Sequence, residues 1–267
     1  MFLKKACKYI SVSKIGILQS LQYKVNTFFL LSIIIIPPLA YFFLWKSVYT
    51  QKEIIGDYKL SELITYYIIS YFFLETKPHA WWEIANSIKN GSFSKYITKP
   101  MNHFFFYFFF AYSYLLSWWV FAVFGVIFLF FILKNYIVLP YGLLPFFLSF
   151  LFGFLGGVLG YIIEYILNLL SFWIEKPFAF LRILDLSVYF LSGSIIPLDL
   201  LPFKKIFLFL PFKYISFFPA RIFVGKIENI NIFNELFFLF LWIIIFYFIS
   251  QVVFYLGRKR YSAPGSI

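Results

Sequence analysis

The sequence predicts an all-α polytopic membrane protein, and three observations support this fold class. Hydrophobic residues occupy 63% of the 267 positions, and the mean hydropathy is +0.87. Several apolar runs reach the roughly 20 residues needed to cross a bilayer. Short Lys-rich loops separate these runs. Because hydrocarbon offers no water to the backbone, each run must pair its own polar groups as a helix.

Six transmembrane helices are predicted within a single domain at 25–267. They are placed at 25–45, 58–74, 104–133, 139–163, 177–196 and 232–256. The second is the weakest, since its clean apolar core covers only 63–74. The third has 30 residues, or about 45 Å of helix, so it must tilt or project beyond the membrane.

The basic residues predict the orientation of the spans. If both termini are cytoplasmic, fourteen Lys and Arg residues lie on the inner side and nine on the outer side. Cytoplasmic loops normally carry the excess. The formal charge of +12 is distributed over the ends of the spans, where it meets lipid head groups. This distribution argues against a nucleic-acid partner.

A basic amphipathic helix is predicted at 1–24, before the first span. Its apolar stripe consists of Leu3, Cys7, Ile10, Ile17 and Leu21. A helix of this kind lies in the inner membrane interface. A helical extension of the first span is an equally simple alternative.

The fourth span contains a glycine stripe formed by Gly153, Gly156, Gly157 and Gly160. Small residues four positions apart allow another backbone to approach closely. We expect the stripe to pack against a neighbouring helix of the same chain rather than to form a dimer contact.

The segment at 197–230 joins the fifth and sixth spans on the outer side. Its apolar pieces are too short to cross the membrane, and prolines interrupt them. Short helices of this kind predict a re-entrant hairpin that dips into the outer leaflet. Its marker residues are Pro197, Pro202, Pro211, Phe212 and Pro219.

The sequence has no motif for nucleotide binding, metalloprotease chemistry or a nucleophile elbow. The only histidines, His79 and His103, flank a polar loop, where we expect them to be solvated, and no metal site is predicted.

Three ionisable residues lie in or near the spans. Glu164 is expected at the inner end of the fourth span. Arg182 and Asp185 are three positions apart on the fifth span and share a helix face. The favoured interpretation is an ion pair with Arg182 reaching the interface. In the alternative, Asp185 faces a water-filled path.

The inner loop at 75–103 is more structured than a simple connection requires. Ile84 and Ile88 are four positions apart, and Gly91 is a natural helix stop. This pattern predicts a short amphipathic helix parallel to the membrane. Such a helix favours contact with a soluble partner.

Two motif blocks give the chain a family resemblance. The first is the loop helix with its glycine and the downstream Lys-Pro-x-Asn turn at 99–102. The second begins at 191, near the end of the fifth span, and continues through the prolines at 197, 202, 211 and 219. In this order the blocks resemble those of ABC-2 type exporter permeases, over nearly the whole chain.

The resemblance implies a membrane permease subunit that uses ATP hydrolysed by a separate nucleotide-binding subunit, which also binds the ATP and Mg²⁺. A second permease half, identical or a sister chain, completes the pair in a bacterial plasma membrane. The loop helix would be the coupling helix that contacts the ATPase. The contact residues implied are Trp82, Glu83, Ile84, Ser87, Ile88, Lys89 and Gly91. Asp185 and Arg182 would lie near the translocation path of an amphiphilic, drug-like, lipid or peptide substrate.

Two other classes remain open at this point. One is an intramembrane enzyme, such as a CAAX-type protease or lipid phosphatase. The other is a non-catalytic membrane scaffold or immunity protein.

Overall fold

The computed structural model describes residues 2–22, 24–79, 81–97, 101–174, 177–227 and 231–261. The helices are α1 (Phe2–Gln22), α2 (Lys24–Val48), α3 (Leu60–Glu75), α4 (Trp81–Lys89), α5 (Ser94–Ile97), α6 (His103–Ile132), α7 (Leu143–Leu169), α8 (Pro177–Leu191), α9 (Lys204–Phe209), α10 (Phe217–Phe223) and α11 (Ile232–Arg260). Two short antiparallel strands, β1 (Ile54–Ile55) and β2 (Tyr58–Lys59), form a hairpin between α2 and α3.

Within the described residues, three helices are long and apolar enough to cross a membrane. They are the Leu31–Val48 part of α2, α7 with its following turn, and α11. Helix α6 adds a fourth if its two parts, which are inclined by 44°, form one span. Helices α3 and α8 have 16 and 15 residues, or about 24 and 22 Å of helix, against a hydrocarbon core of about 30 Å. The structure thus supports a helical membrane protein, while six spans stay a prediction.

Helix α3 is the central element of the core. All thirteen residues from Leu63 to Glu75 are buried, as expected for a helix that is apolar on every side. The Tyr67 ring stacks on Tyr41 of α2 with a centroid distance of 4.2 Å. The Tyr66 hydroxyl donates to the Gly193 carbonyl oxygen at 2.7 Å. Buried tyrosines therefore join α3 both to α2 and to the turn after α8.

The glycine stripe of α7 packs against segments of the same chain, which confirms the prediction. A Cβ at Gly156 would lie 1.8 Å from the carbonyl oxygen of Tyr214, and one at Gly153 would lie 2.1 Å from the Phe73 ring. Because the atom met at Gly156 belongs to the backbone and cannot turn aside, glycine is required there for this contact. Helix α7 can therefore approach α3 and the turn before α10.

Helix α1 lies against α6 through small residues. Val12, Gly16 and Ser20 are buried, and a Cβ at Gly16 would lie 2.8 Å from the carbonyl oxygen of Phe110. From the predicted apolar stripe, Ile10 and Ile17 are exposed. The side chains of Leu3, Cys7 and Leu21 lie outside the described residues, so the interfacial position of α1 stays a prediction.

The segment at 197–227 folds into short helical pieces between prolines. The exposed helix α9 has no buried residue, whereas six of the seven residues of α10 are buried. Helix α10 packs against α3 and α7. Of the marker residues, Pro197, Pro211 and Pro219 are buried, Phe212 is half-buried and Pro202 is exposed. The depth of this segment in a bilayer stays a prediction.

Candidate functional site

A buried segment at 75–79, which we call the junction, connects α3 to α4. The two carbonyl oxygens at the end of α3 receive hydrogen bonds from α6. The Trp118 indole donates to the Glu75 carbonyl at 3.0 Å, and the Trp119 indole donates to the Thr76 carbonyl at 3.1 Å. The last carbonyls of a helix have no partner within the helix, so these indoles fix the end of α3 in place.

The ionic centre of the junction is a salt bridge between Lys77 and Glu164 of α7. The Lys77 side chain is fully buried, and the Glu164 side chain is 6% exposed. His79 adds a contact of 3.2 Å between its Nδ1 and the Glu164 Oε2. Gly160 leaves room for this arrangement, because a Cβ there would lie 3.2 Å from Lys77 Cδ. The junction is thus attached to α7 by paired charges.

Helix α8 meets the junction through a second contact. The Tyr189 hydroxyl donates to Glu75 Oε1 at 2.7 Å. Nearby on α8, Arg182 Nη1 lies 4.0 Å from Asp185 Oδ2, and the Arg182 side chain is 62% exposed. The predicted Arg182–Asp185 pair is therefore present.

The coupling helix predicted from the loop is α4, but its apolar residues face the interior. Ile84, Ser87 and Ile88 are buried, and both isoleucines belong to a cluster formed by α6 and α7. Glu83 and Asn86 are exposed, and Lys89 is half-exposed. The side chain of Trp82 lies outside the described residues. A soluble partner would therefore meet the polar face of α4.

The end of α4 is fixed by Gly91 and the C-terminal helix. Gly91 has a φ of +80°, which a residue with a side chain rarely adopts, and its carbonyl accepts a 2.9 Å hydrogen bond from the Tyr261 hydroxyl. Of the Lys-Pro-x-Asn turn, Lys99 and Pro100 lie outside the described residues. Asn102 caps α6 by accepting from the Phe105 amide at 3.3 Å.

The expectation that both histidines are solvated is wrong for His103, which is buried. Its Nδ1 lies 2.8 Å from the Tyr165 hydroxyl, and its ring packs 4.8 Å from Tyr107 and 4.9 Å from Phe254. Tyr107 is one helical turn away, but Tyr165 and Phe254 come from distant parts of the chain, so local sequence gave little indication of this burial. Its position supports a packing role. Among the described residues, no group of three or more His, Cys, Asp or Glu side chains could hold a metal ion.

Sequence reasoning missed Lys77, Glu75 and Tyr189 as members of the site. The signal available in the sequence was a charged residue shortly after each of two apolar runs. Lys77 follows the second predicted span, and Glu164 follows the fourth. Glu164 was expected to end the fourth span, but α7 continues to Leu169. The Glu164 side chain is 6% exposed, so its carboxylate lies inside the protein, where it requires a charged partner.

Together, these features define a multi-pass helical membrane protein in which a loop helix is firmly joined to the membrane helices. The chain matches the family described as "ABC-2 family transporter protein" over residues 35–265. It belongs to this family, which makes it a permease of ABC transporters and confirms the resemblance. No curated protein and no solved structure matches the chain.

Proposed function

We propose that this chain is the membrane half of an ABC exporter in a bacterial plasma membrane, with both termini cytoplasmic. It moves an amphiphilic, drug-like, lipid or peptide substrate outward. A separate nucleotide-binding subunit binds ATP and Mg²⁺ and hydrolyses the ATP. A second permease half, identical or a sister chain, completes the membrane part.

The observation that carries this proposal is the position of α4 directly after the junction. Glu75, Thr76 and Lys77 are buried and contact residues of α6, α7 and α8. A force applied to α4 therefore reaches four membrane helices through short polar contacts. A loop that only connected two spans would not need this construction.

The exposed face of α4 is the surface that we assign to the ATPase. It consists of Glu83, Asn86 and Lys89, followed by Asn90. Ile84 and Ile88 contribute indirectly, since they anchor the helix to α6 and α7. Motion of the ATPase subunits would thus shift α4 as part of the membrane domain.

Helix α8 is the element that we assign to the translocation path. It is held weakly, since only Pro177, Leu181 and Val188 of its 15 residues are buried. It exposes Ile183 and Leu186, and it carries the Arg182–Asp185 pair. This mixture of apolar and charged surface suits contact with an amphiphile or with the second half.

A steric substitution on α4 tests the proposed ATPase contact. In the purified complex, Asn86→Trp should abolish co-purification of the ATPase subunit, because the indole enlarges the exposed face without entering the core. Asn135→Trp is the matched control, since Asn135 is exposed in the turn after the opposite end of α6. The control should keep the ATPase bound and its hydrolysis stimulated.

Two results would contradict the proposal. Retention of the ATPase by Asn86→Trp would mean that α4 is not the contact. An intact complex that hydrolyses ATP without moving any amphiphile across proteoliposomes would instead indicate a scaffold. Membrane insertion of both variants is measured in parallel, so that misfolding is recognised.

A further inference from the structure

Helix α8 is fastened to the rest of the chain at its C-terminal end. The Ser192 carbonyl oxygen accepts one hydrogen bond from the Phe217 amide at 3.0 Å and another from the Ser216 hydroxyl at 2.9 Å. The Gly193 carbonyl oxygen accepts from the Tyr66 hydroxyl of α3 at 2.7 Å. Ser192 and Gly193 are both buried, so breaking these bonds would leave polar groups without water. We call residues 192–195 the fastened turn.

Gly193 gives the fastened turn its shape. Its φ is +82°, which a residue with a side chain rarely adopts. A Cβ at this position would lie 2.9 Å from Phe217 Cβ and 3.1 Å from the Tyr66 hydroxyl oxygen. The Ile195 carbonyl oxygen accepts a further hydrogen bond from the Tyr67 hydroxyl at 3.1 Å. Helix α3 and the start of α10 therefore hold the turn in a defined position.

The side-chain contacts of α8 with other helices lie mainly beside this turn. Val188 belongs to a buried cluster with Leu74 and Ile215. The Tyr189 hydroxyl reaches the Glu75 carboxylate. Both residues of α8 are within about 8 Å of the fastened turn along the helix axis.

The N-terminal part of α8 is held by far fewer contacts. Between 177 and 187, only Pro177 and Leu181 are buried. Ile183 is 62% exposed and Leu186 is 58% exposed. Few buried contacts mean a low cost of local motion. The helix can therefore tilt about its fastened end, whereas sliding along its axis would break the buried hydrogen bonds of the turn.

We propose that α8 swings as a rigid helix about Gly193, so that its N-terminal end moves farthest. Hinges are residues at the ends of elements that absorb changes in φ and ψ, and glycine has the widest choice of both. Ile183 is about 15 Å from Gly193 along the axis, and Phe190 is about 4.5 Å from it. A tilt of about 15° thus moves Ile183 by about 4 Å and Phe190 by about 1 Å.

The swing changes the position of the charged pair on α8 relative to the junction. Arg182 and Asp185 are about 16 and 12 Å from Gly193 along the axis, whereas Tyr189 is only about 6 Å from it. The pair therefore moves at least twice as far as the tyrosine that contacts the junction. That ATP drives the swing rests on the proposed function, whereas the pivot itself does not.

Distances between spin labels in the full-length chain test the pivot. After Cys7→Ser, which removes the single cysteine, labels are attached at Ile183→Cys or Phe190→Cys, each paired with Leu151→Cys on α7. The chain is placed in nanodiscs with an excess of unlabelled chain. The two sites on α8 are seven positions apart and share a helix face, and Leu151 is exposed.

The distance distribution should be broader at Ile183 than at Phe190, by about 3 Å for a tilt of about 15°. Sliding or a rigid attachment would give equal distributions. A pivot at the other end of α8 would give the broader distribution at Phe190. Either of these results would overturn the proposal.

Paired variants test whether the hydroxyl groups hold the fastened turn. Tyr66→Phe/Ser216→Ala removes two of its donors and should broaden the distribution at Phe190. Tyr255→Phe/Ser47→Ala is the matched control, since both residues are exposed and distant in sequence from the turn, and it should change neither distribution. An unchanged distribution at Phe190 in the first variant would also overturn the pivot. The comparison of the two label sites in the unmodified turn does not depend on these variants.

These measurements use neither ATP nor the ATPase subunit, so they are independent of the proposed transport activity. In the assembled complex, ATP should shift the mean distance by about 4 Å at Ile183 and about 1 Å at Phe190. Unequal distributions in the chain alone, without a response to ATP in the complex, would support the pivot and count against the proposed function. Equal distributions would remove the pivot and leave the ATPase contact at α4 untouched.

Discussion

Replacement of Lys77 by Met should strongly destabilise the protein, because it leaves the Glu164 carboxylate without its main partner. The two side chains are 0% and 6% exposed, so water cannot take the place of the lysine. Breaking a buried ion pair by removing one partner costs about 3–5 kcal/mol. His79 stays near Glu164 at 3.2 Å, and we therefore expect a loss near the lower limit, about 3 kcal/mol.

The double variant Lys77→Met/Glu164→Met should recover much of this loss. Replacing a buried ion pair by apolar residues of similar volume is often neutral or stabilising. The two substitutions should thus be non-additive by at least about 3 kcal/mol, the upper end of the range for residues in direct contact. The measurement is unfolding of the purified chain by SDS in mixed micelles, followed by tryptophan fluorescence.

The control for the Lys77 variant is the more exposed Glu62–Lys226 pair. Its side chains are 16% and 28% exposed, so Lys226→Met should cost no more than about 1 kcal/mol. A similar loss for Lys77→Met and Lys226→Met, or additive losses at Lys77 and Glu164, would refute the view that the junction is fastened by a buried charge pair.

Three further predictions concern the surroundings of the junction. Gly156→Ala should cost about 1–3 kcal/mol of stability, because its Cβ would meet the Tyr214 carbonyl oxygen at 1.8 Å. Gly157→Ala is the control, since the nearest atoms there are 3.8 Å from the Cβ position. Equal effects of the two substitutions in the same SDS titration would contradict this prediction. Tyr189→Phe removes a hydroxyl that is bound to the buried Glu75 carboxylate. It should lower the free energy of unfolding by about 1.5–3 kcal/mol and reduce ATP-driven transport in proteoliposomes. Transport at the wild-type rate would show that α8 needs no such contact. Ile88→Pro should break α4 and abolish transport, while protease protection shows normal membrane insertion.

The positions of the long helices could be predicted from the sequence because a long apolar run has few other structures available in a membrane. The ends of the helices were less predictable. The fifth span was expected to reach residue 196, but α8 ends at Leu191, and Gly193 has a φ of +82°. The residues around Gly193 are apolar, so hydropathy does not show this break. The glycine and the following Pro197 are the local signals for it.

The position of α4 was also predictable, whereas the direction of its apolar face was not. The pair Ile84 and Ile88 correctly indicated an amphipathic helix. An apolar stripe does not reveal whether it will contact a partner or the protein's own core. In this chain the membrane domain offers Phe93 and Tyr107 beside it, and burial against them removes both isoleucines from water. A partner that binds α4 would therefore meet its polar side, which the sequence pattern had not singled out.

The polar contacts of the junction depend on residues that are distant in the sequence. Lys77 and Glu164 are 87 positions apart, and Glu75 and Tyr189 are 114 apart. No periodicity within one helix links such residues. The need for a partner was nevertheless readable at Glu164, because an ionised group inside a membrane protein requires one.

Within the membrane domain, α3, α7 and α10 are packed closely together, whereas α8 has few buried residues. Helix α3 is buried from Leu63 onward, α7 reaches it through the glycine stripe, and α10 packs on both. These three helices are therefore expected to move as one body that carries the junction at one end. Helix α8 has only three buried residues, and its Tyr189 hydroxyl contacts Glu75 of the junction. Relative motion is least costly at this boundary, so a displacement of α4 should be expressed mainly as a shift between α8 and the body formed by α3, α7 and α10.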